Sequence, residues 1–534
     1  MADTILSRLI LPLRERAPRA GIYLDDDNNG QSFAAYREIY QRVQAAAAAF
    51  RNAGIGTGTR IIIPFDTSFD CIVAFLALAG IGAIPLSVKT PASGGNPMEY
   101  GEYLRLLISR FGASFVVGAP GLATEGLSVP RVHPGEASAG GDFSGWADPS
   151  EADIAFVQFS SGTTSEPKGV VIKHGQLIRQ LDMIVTHDRR TEQDVGSCWL
   201  PLFHDMGLVG TLLTPIYAGH DLRLCSPARF LLDPVDWLHG LSERGVSISA
   251  IPNFGLAYLL KRLEEPDVDL SALRLDKLRR IYIGSDTIDA DVVYLLARKL
   301  APYGLCGNAF SPCYGMAEAV LMVSCKPQEE AVRVSDRAGA AVVSVGPILE
   351  GFELRLVSAD GTTASPGENG EILLRGGSIG DGYFESDRPM LDAEGYYHTG
   401  DMGFVEDGQL YISGRIGDRV KINGQNYFLP HLENALHAHP ELRPGGAAII
   451  QTSGELAVLA EPSNFRSGER LISLRSELAE VLLSTTGVKV PAERIFFVRR
   501  GQIKRTSSGK LQRNLVARAF VDRQLKIFEI TQDA

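Results

Sequence analysis

The chain has 534 residues, of which 45% are hydrophobic and 22% charged, and its formal net charge is −11. At roughly 100–200 residues per domain, a chain of this length should form two or more domains, each with its own core. The acidic balance disfavours nucleic acid as the main partner.

The N-terminus and the cysteines both point to the cytoplasm. The opening run MADTILSRLILPLRER is interrupted by Asp3 and Arg8 and has no small-residue cleavage site, so it is a poor signal peptide. The six cysteines form no CxxC pair and have no metal-ligand spacing with histidine. We therefore expect reduced thiols, no zinc site and a cytoplasmic protein.

One apolar segment has to be weighed against a membrane span. Residues 71–88, CIVAFLALAGIGAIPLSV, are 18 residues without a charge, which is the lower limit for crossing a bilayer. Gly80, Gly82 and Pro85 argue against one continuous helix. The segment therefore predicts a buried helix that ends near Gly80, followed by a buried strand, and no membrane span.

The order of the predicted elements indicates an α/β fold. Apolar, β-rich runs such as RIIIPF, SFVVGA, IAFVQF, SISAIP and RRIYIG alternate with helical patterns up to about residue 320, which favours largely parallel sheets. From about 340 to 413 short strands separated by Gly, Asp and Asn predict a small β-rich subdomain. We predict an N-terminal domain over residues 1–413 and a smaller, mobile α+β domain over 414–534.

Residues 160–169, SSGTTSEPKG, contain five hydroxyl side chains, two glycines and a lysine between two predicted strands. Free backbone N–H groups, hydroxyls and the Lys168 ammonium would form a cationic concavity that suits a phosphate chain. A flexible surface turn has the same composition. The stretch does not match the P-loop motif GxxxxGK[ST], which disfavours a kinase or another P-loop NTPase.

Five motifs, in order, resemble the adenylate-forming superfamily of acyl-CoA ligases, nonribosomal adenylation domains and luciferases. The resemblance covers roughly residues 20–520 and is strongest to the fatty acyl-AMP ligases. The motifs are SSGTTSEPKG, WLPLFHDMGLVG, CYGMAEA, YYHTGDMGF with GRIGDRVKINGQN, and KRTSSGKLQR.

The resemblance implies activation of a carboxylic acid by ATP, with loss of pyrophosphate, and then transfer of the acyl group to a thiol. Glu318 matches the magnesium-binding glutamate of the family, with Thr164 as a second metal contact. Without the motif, Glu318 reads as a helix cap or surface charge. The residues that match ATP- or AMP-binding positions are Ser160, Ser161, Gly162, Thr163, Thr164, Lys168, Gly284, Ser285, Asp286, Tyr314, Gly315, Met316, Asp401 and Arg415.

Two residues near the C-terminus match positions with distinct roles. Lys510 matches the catalytic lysine that neutralises charge in the first half-reaction, although a lysine in a basic tail is ordinarily a solvated side chain. Asp418 matches the hinge about which the C-terminal domain of the family rotates. Asp401 and Arg415, outside the family context, read as turn residues between strands.

The acyl side of the site is implied by two further segments. His204, together with Asp205 and Met206, lies in HDMGL, the form typical of fatty acyl-AMP ligases, at the gate between nucleotide and acyl pocket. Phe254 lies in AIPNFGLAYLL, which resembles the wall of that pocket, although Phe254 and Tyr258 also suit a plain core. These matches imply a fatty or other apolar acid.

The acceptor is either an acyl carrier protein or coenzyme A. Gly346 follows Glu318 by only 28 positions, whereas fatty acyl-AMP ligases usually carry a longer insertion in this region. Because that insertion is expected to prevent transfer to coenzyme A, its shortening weakens this expectation. Residues 489–528 contain eleven Lys and Arg and two acidic residues, so the net charge of this segment is +9. The remainder of the chain therefore has a net charge of about −20. Such a tail suits an acidic carrier docked through Arg499, Arg500, Lys504 and Arg505.

Two other classes of function stay open. One is a nucleotide-binding regulator without catalysis, against which Glu318, Asp401 and Lys510 all argue. The other is a luciferase-like oxygenase on the same scaffold. The resemblance therefore predicts an ATP- and magnesium-dependent acyl-AMP ligase that loads a carrier protein, with an acyl-CoA ligase as the alternative.

Overall fold

The computed structural model describes most of the chain. The described residues are 2–25, 30–91, 97–118, 126–134, 143–160, 168–336, 341–358, 360–365, 367–386, 388–422, 425–437, 439–452, 454–464, 468–506 and 510–528. Of the sequence-predicted site residues, Ser161, Gly162, Thr163 and Thr164 lie outside this set, and so does the side chain of Ser160.

The strands are β1 (Gly21–Asp25), β2 (Gln31–Ala35), β3 (Arg60–Pro64), β4 (Ile84–Val88), β5 (Phe115–Val117), β6 (Arg131–Val132), β7 (Ile154–Ser160), β8 (Lys168–Lys173), β9 (Val195–Cys198), β10 (Asp221–Cys225), β11 (Ile248–Ala250), β12 (Arg280–Ile283), β13 (Phe310–Gly315), β14 (Met322–Cys325), β15 (Val334–Ser335), β16 (Val342–Val343), β17 (Phe352–Val357), β18 (Gly370–Gly376), β19 (Tyr397–Glu406), β20 (Gln409–Arg415), β21 (Arg419–Ile422), β22 (Gln425–Phe428), β23 (Leu442–Thr452), β24 (Glu455–Pro462) and β25 (Ile495–Phe497).

The α-helices are α1 (Tyr36–Asn52), α2 (Phe69–Gly80), α3 (Pro97–Phe111), α4 (His174–Asp188), α5 (Thr214–Ala218), α6 (Pro227–Leu232), α7 (Pro234–Glu243), α8 (Asn253–Arg262), α9 (Ala290–Leu300), α10 (Leu429–His437), α11 (Gly468–Thr486) and α12 (Arg513–Val521). Short 3₁₀ or π-helical segments cover Leu6–Ile10, Leu11–Glu15, Met206–Leu213, Ala301–Tyr303, Ala317–Ala319, Ile416–Asp418 and Ala492–Arg494.

Two large sheets form the N-terminal part. One has the strand order β6-β5-β3-β4-β7-β8, and its pairs are parallel except for the β7–β8 hairpin. The other has the order β14-β13-β12-β11-β9-β10-β1-β2, with antiparallel pairs at its two ends. These sheets, the antiparallel β17–β20 sheet and the smaller C-terminal part confirm the predicted fold class.

The segment at residues 71–88 folds as its glycines and proline predict. Helix α2 begins after Ser68, whose side chain accepts a hydrogen bond from the Cys71 backbone N–H at 3.2 Å, and ends at Gly80. Strand β4 follows and is buried along its whole length. Within the described ranges, no helix is both long and apolar enough to cross a membrane.

The C-terminal unit, by which we mean the elements from β21 onward, has a core on each face of one small sheet. Side chains alternate along a strand, so Ala447 and Ile449 of β23 face one side while Ala448 and Ile450 face the other. Helices α10 and α11 pack on the first face and α12 on the second. The predicted division of the chain at residue 413 stays a prediction.

A buried ionic network ties α4 to the eight-stranded sheet. Asp188, at the end of α4, lies 2.9 Å from Arg190 Nε through Oδ2 and 3.1 Å from Arg280 Nε through Oδ1. The Tyr282 hydroxyl donates to Asp188 and accepts from Arg190 Nη2 at 3.0 Å. All four side chains are buried, so these charges depend on one another for solvation.

We predict that Asp188→Asn lowers the free energy of unfolding by about 3–5 kcal/mol, because it leaves two buried guanidinium groups without their shared counter-charge. Urea denaturation measures this change. Asp182→Asn, on the same helix at a half-exposed carboxylate, is the control and should cost less than about 1 kcal/mol. Similar losses in the two variants would contradict the prediction.

Candidate active site

The predicted site residues gather at one edge of the eight-stranded sheet. Strands β9, β11, β12 and β13 are parallel neighbours, so the residues that follow them in the chain meet at their carboxyl ends. A cleft of about 2190 Å³ opens there, between this edge, the β17–β20 sheet and the C-terminal unit. The predicted residues that line it are Lys168, His204, Asp205, Phe254, Ser285, Asp286, Tyr314, Gly315, Met316, Glu318, Asp401, Arg415, Asp418 and Lys510.

Asp401 and Arg415 lie in strands and not in turns. They are directly opposed on the antiparallel pair β19–β20, and Arg415 Nε lies 3.0 Å from Asp401 Oδ1. The Tyr314 hydroxyl donates to Asp401 Oδ2 at 2.7 Å, and burial raises the Tyr314 pKa well above its ordinary value. The buried Asp401 carboxylate is thus oriented by groups from two different sheets.

Glu318 is held by Tyr383, and Tyr397 lies next to Tyr383; the sequence singled out neither tyrosine. The Tyr383 hydroxyl donates to Glu318 Oε1 at 3.0 Å and lies 3.4 Å from the Tyr397 hydroxyl. Burial, and then the neighbouring Glu318 carboxylate, raise the pKa of Tyr383 to about 12, so it remains a donor. Lys168 Nζ lies 5.5 Å from the centre of the Tyr383 ring. Lys168 and Glu318 therefore flank the same phenol.

The described residues contain no cluster of three or more His, Cys, Asp and Glu side chains that could hold a metal alone. Glu318 nevertheless fits a cation that takes most of its ligands from phosphates and water. It is a half-buried hard oxygen donor that lines the cleft, as does Lys168 at the start of β8. Ser160 and Lys168 pair at the ends of β7 and β8, so the loop between these strands starts within this region.

His204 and Asp205 form a partly buried pair beside Lys510. Their Nδ1 and Oδ1 atoms are 2.6 Å apart, and the same carboxylate oxygen accepts the Met206 backbone N–H at 2.7 Å. Burial alone would raise the Asp205 pKa, but His204, Lys510 and the Met206 N–H outweigh it, so the pKa lies below its ordinary value. Asp205 is therefore a carboxylate, and the C-terminal unit supplies a cation next to it.

The backbone at the site is strained in two places. Ser285, in the Gly284–Asp286 turn, has φ of 82°, and Val320, after Glu318, has φ of 67°. Left-handed backbone is uncommon for a residue with a side chain and is an outlier for a β-branched one. Gly315 lies so close to Leu321 that a Cβ there would meet its carbonyl oxygen at 1.7 Å. These turns thus depend on tight packing around the cleft.

The predicted hinge residue is anchored to the C-terminal unit. Asp418 Oδ1 lies 2.8 Å from Arg513 Nε, while Arg513 Nη2 donates to Glu433 Oε2 at 3.1 Å. Arg513 also donates to the Ile449 carbonyl oxygen, and both Arg513 and Glu433 are buried. Sequence patterns did not point to Arg513, because its two carboxylate partners lie 80 and 95 positions earlier in the chain.

The aromatic residues near Phe254 form a cluster. Trp199 stacks on Phe230 with ring centroids 3.7 Å apart, and Phe254 meets Trp199 edge-on at 6.0 Å. Phe254 belongs to this cluster and also lines the cleft. Met206 is buried and lines a second, smaller cavity beside the cleft. Sequence patterns did not point to Trp199, which follows β9, or to Phe230, which lies in α6 after β10, because the two meet only in the fold.

The basic residues of the tail are not equivalent. Arg499, Arg500 and Lys504 are exposed, and the Arg499 backbone N–H donates to the Lys526 carbonyl at 2.9 Å, so the exposed Lys526 lies beside them. Arg505 is partly buried instead and donates from Nε to the Gly445 carbonyl at 3.0 Å. Arg505 therefore does not belong with the other three on an exposed surface.

Known protein families, proteins and solved structures resemble this chain over most of its length. Residues 15–384 match the model of the AMP-binding enzyme family, and residues 417–530 match the AMP domain of Disco-interacting protein 2-like proteins. JamA of Moorena producens, named a medium-chain-fatty-acid–[acyl-carrier-protein] ligase, is 30% identical over 70% of this chain and 69% of its own length.

Two further relatives extend over most of the chain. FadD32 of Mycolicibacterium smegmatis, named a long-chain-fatty-acid–AMP ligase, is 28% identical over 89% of this chain and 87% of its own. A solved structure from work on fatty acyl-adenylate ligases of E. coli and L. pneumophila superimposes with a TM-score of 0.88, at 25% identity, and covers 98% of both chains.

Proposed function

The chain belongs to the AMP-binding enzyme family and is an acyl-AMP ligase, and we propose that it joins an apolar carboxylic acid to AMP and then passes the acyl group to the thiol of an acyl carrier protein. The observation that carries this proposal is the convergence of Lys510 on the His204–Asp205 pair, in the cleft that also holds Asp401 and Glu318.

The first step concentrates negative charge. A carboxylate oxygen of the acid attacks the α-phosphorus of ATP, the bond to the bridging oxygen of the β-phosphate breaks, and pyrophosphate leaves. We assign to Lys510 the neutralisation of charge on the carboxylate and α-phosphate, because its ammonium enters the cleft beside Asp205. His204 lies at the junction of the two cavities, where a gate between acyl group and nucleotide would be.

The nucleotide would lie across the edge of the sheet. Asp401, already accepting from Tyr314 and paired with Arg415, is the group proposed for the ribose hydroxyls. The Tyr314 ring and the Gly284–Asp286 turn would border adenine, with Gly315 and Met316 beside them. The phosphate chain would extend toward Lys168 and the loop that begins at Ser160, including Ser161, Gly162, Thr163 and Thr164.

Glu318, together with Thr164, is the proposed contact for Mg²⁺. A bound magnesium ion would offset the charge of the phosphates and help pyrophosphate to leave. Tyr383 keeps the Glu318 carboxylate oriented, and Tyr397 supports Tyr383 in turn. A regulator without catalysis would not need Glu318, Asp401 and Lys510 in one cleft.

We predict that Lys510→Ala slows acyl-adenylate formation by orders of magnitude, since one preorganised charge contributes roughly 3–4 kcal/mol to a transition state. Transfer from supplied acyl-adenylate should survive. Pyrophosphate release and acyl transfer are assayed separately. Glu318→Gln is the contrast: it should also slow adenylation, but high Mg²⁺ should restore part of its activity. Equal loss of both half-reactions in Lys510→Ala would remove the role assigned to it.

The second step needs a rearrangement, because Lys510 occupies the cleft during the first. We propose that residues 414–534 rotate about Asp418, whose carboxylate is tied to Arg513 within the rotating unit. The carrier thiolate would then attack the acyl carbonyl carbon, and AMP would leave with the bonding electrons.

Asp418→Pro fixes φ near −65° and removes a backbone N–H, so we expect rotation to stall while adenylation persists. Thioester formation from supplied acyl-adenylate should fall strongly. Asp418→Asn removes the charge that Arg513 contacts but leaves the backbone free, and it should retain more transfer activity. If Asp418→Pro lost adenylation and kept transfer, Asp418 would not be the pivot.

Exposed basic residues are the proposed docking surface for the carrier. Arg499, Arg500 and Lys504, with Lys526 beside them, form a cationic surface on an otherwise acidic chain. Charges at such a surface act over distance, and screening sets in beyond about 8 Å at physiological ionic strength. An acidic carrier protein would therefore be attracted before it makes contact.

We predict that transfer to a holo-carrier protein slows as salt rises, and that reversing Arg499, Arg500 and Lys504 to Glu reproduces the slowing without harming adenylation. Reversal of three exposed arginines elsewhere, Arg37, Arg105 and Arg189, gives the same net charge and should leave transfer nearly unchanged. Offering coenzyme A and carrier at matched concentrations completes the test. Efficient acyl-CoA formation without preference for the carrier would make the protein an acyl-CoA ligase.

A further inference from the structure

A small chamber opens from the cleft beside Lys510 and leads into the core. Its volume is about 50 Å³, and it shares Lys510, His204, Asp205 and Ser285 with the cleft, so these residues form its mouth, where the carboxylate of an acid would lie. Its inner wall consists mostly of apolar groups, from Ile184, Met206, Ala250, Cys313, Leu321 and Met322. The chamber therefore suits the acyl part of the substrate.

The chamber ends at the buried ionic network. Arg190 and Tyr282 line its inner end, and Arg190 is held by Asp188 at 2.9 Å and by the Tyr282 hydroxyl at 3.0 Å. An acyl chain that pushed past them would have to separate buried charges, which is strongly unfavourable. This end of the chamber is therefore fixed.

The side walls of the chamber are close together. A Cβ on Gly210 would meet Leu321 Cδ2 at 2.8 Å, so these two walls are already close. The Thr211 hydroxyl, which could have met a polar substrate group, donates to the Gly207 carbonyl at 2.9 Å instead. The interior thus excludes bulky groups and offers its occupant mainly dispersion contacts.

An apolar cavity of roughly 150 Å³ holds a benzene ring, so a third of that volume admits on the order of two to four carbon atoms. We propose that the acid is short, with about two to four carbons beyond its carboxylate, in contrast to the medium- and long-chain acids in the names of the relatives. This inference rests on the proposed function, since it assigns the acyl group of that reaction to the chamber.

A longer chain would have to follow the open cleft instead. Beyond Phe254 that route is bordered by charged residues interspersed with apolar ones: Lys261, Glu264, Asp289 and Asp291 alternate with Ala257, Leu260, Ile288 and Val292. An alkyl chain there would lie partly against charged groups and water, so it would be less completely buried than in the chamber. The chamber, whose lining is mostly apolar, is therefore the better environment for an alkyl group short enough to fit it.

The test measures pyrophosphate release with straight-chain acids from acetate to dodecanoate. We expect kcat/KM to be highest for acids of about three to five carbons in total and at least tenfold lower for octanoate. An optimum at octanoate or longer would overturn this inference and leave the proposed function intact. Absence of pyrophosphate release with every acid would overturn the proposed function, and this inference with it.

Leu321→Ala removes one wall of the chamber and should move the optimum to longer acids. Leu241→Ala makes the same truncation at a buried leucine of α7 that does not line the chamber, and its profile should match the unaltered enzyme. An equal shift in the two variants, or no shift in Leu321→Ala, would show that the chamber does not set chain length. The series with the unaltered enzyme decides the inference even if Leu321→Ala does not fold.

Discussion

The candidate active site is completed by an ammonium group that one folded unit places in the cleft of another. Lys510 belongs to the C-terminal unit, yet it lies beside Asp205, at the edge of the N-terminal sheet. Two anions, a carboxylate and a triphosphate, repel each other, so their reaction needs positive charge delivered between them. Because the charge comes from a separate unit, it can also be withdrawn, which would leave room for a thiol in the second step.

Parallel strands explain why distant parts of the chain meet around that group. The segments after β9, β11, β12 and β13 all emerge at the same edge of the sheet. They bring His204, Phe254, Ser285 and Glu318 together although these residues span more than a hundred positions. The left-handed backbone at Ser285 and Val320 lies in the turns where this convergence is tightest.

Sequence patterns predicted the fold class and many elements because strands and helices have local signatures. The break at Gly80, the alternating α/β run and the β-rich stretch are all visible in composition alone. The cross-strand pairing of Asp401 with Arg415 could not be predicted in this way, because it depends on the register between β19 and β20. Nor could a pattern reveal the Asp188 network or the link between Asp418 and Arg513, whose members are far apart in sequence.

The central claim is that the cleft joins an acid to AMP. The most direct measurement mixes the protein, in amounts equal to ATP, with a short acid and Mg²⁺ but no thiol, and identifies the products by mass spectrometry after quenching. The account predicts protein-bound acyl-adenylate and pyrophosphate in equal amounts, because nothing removes the acyl group. Formation of ADP and phosphate, or no reaction with any carboxylic acid, would contradict it.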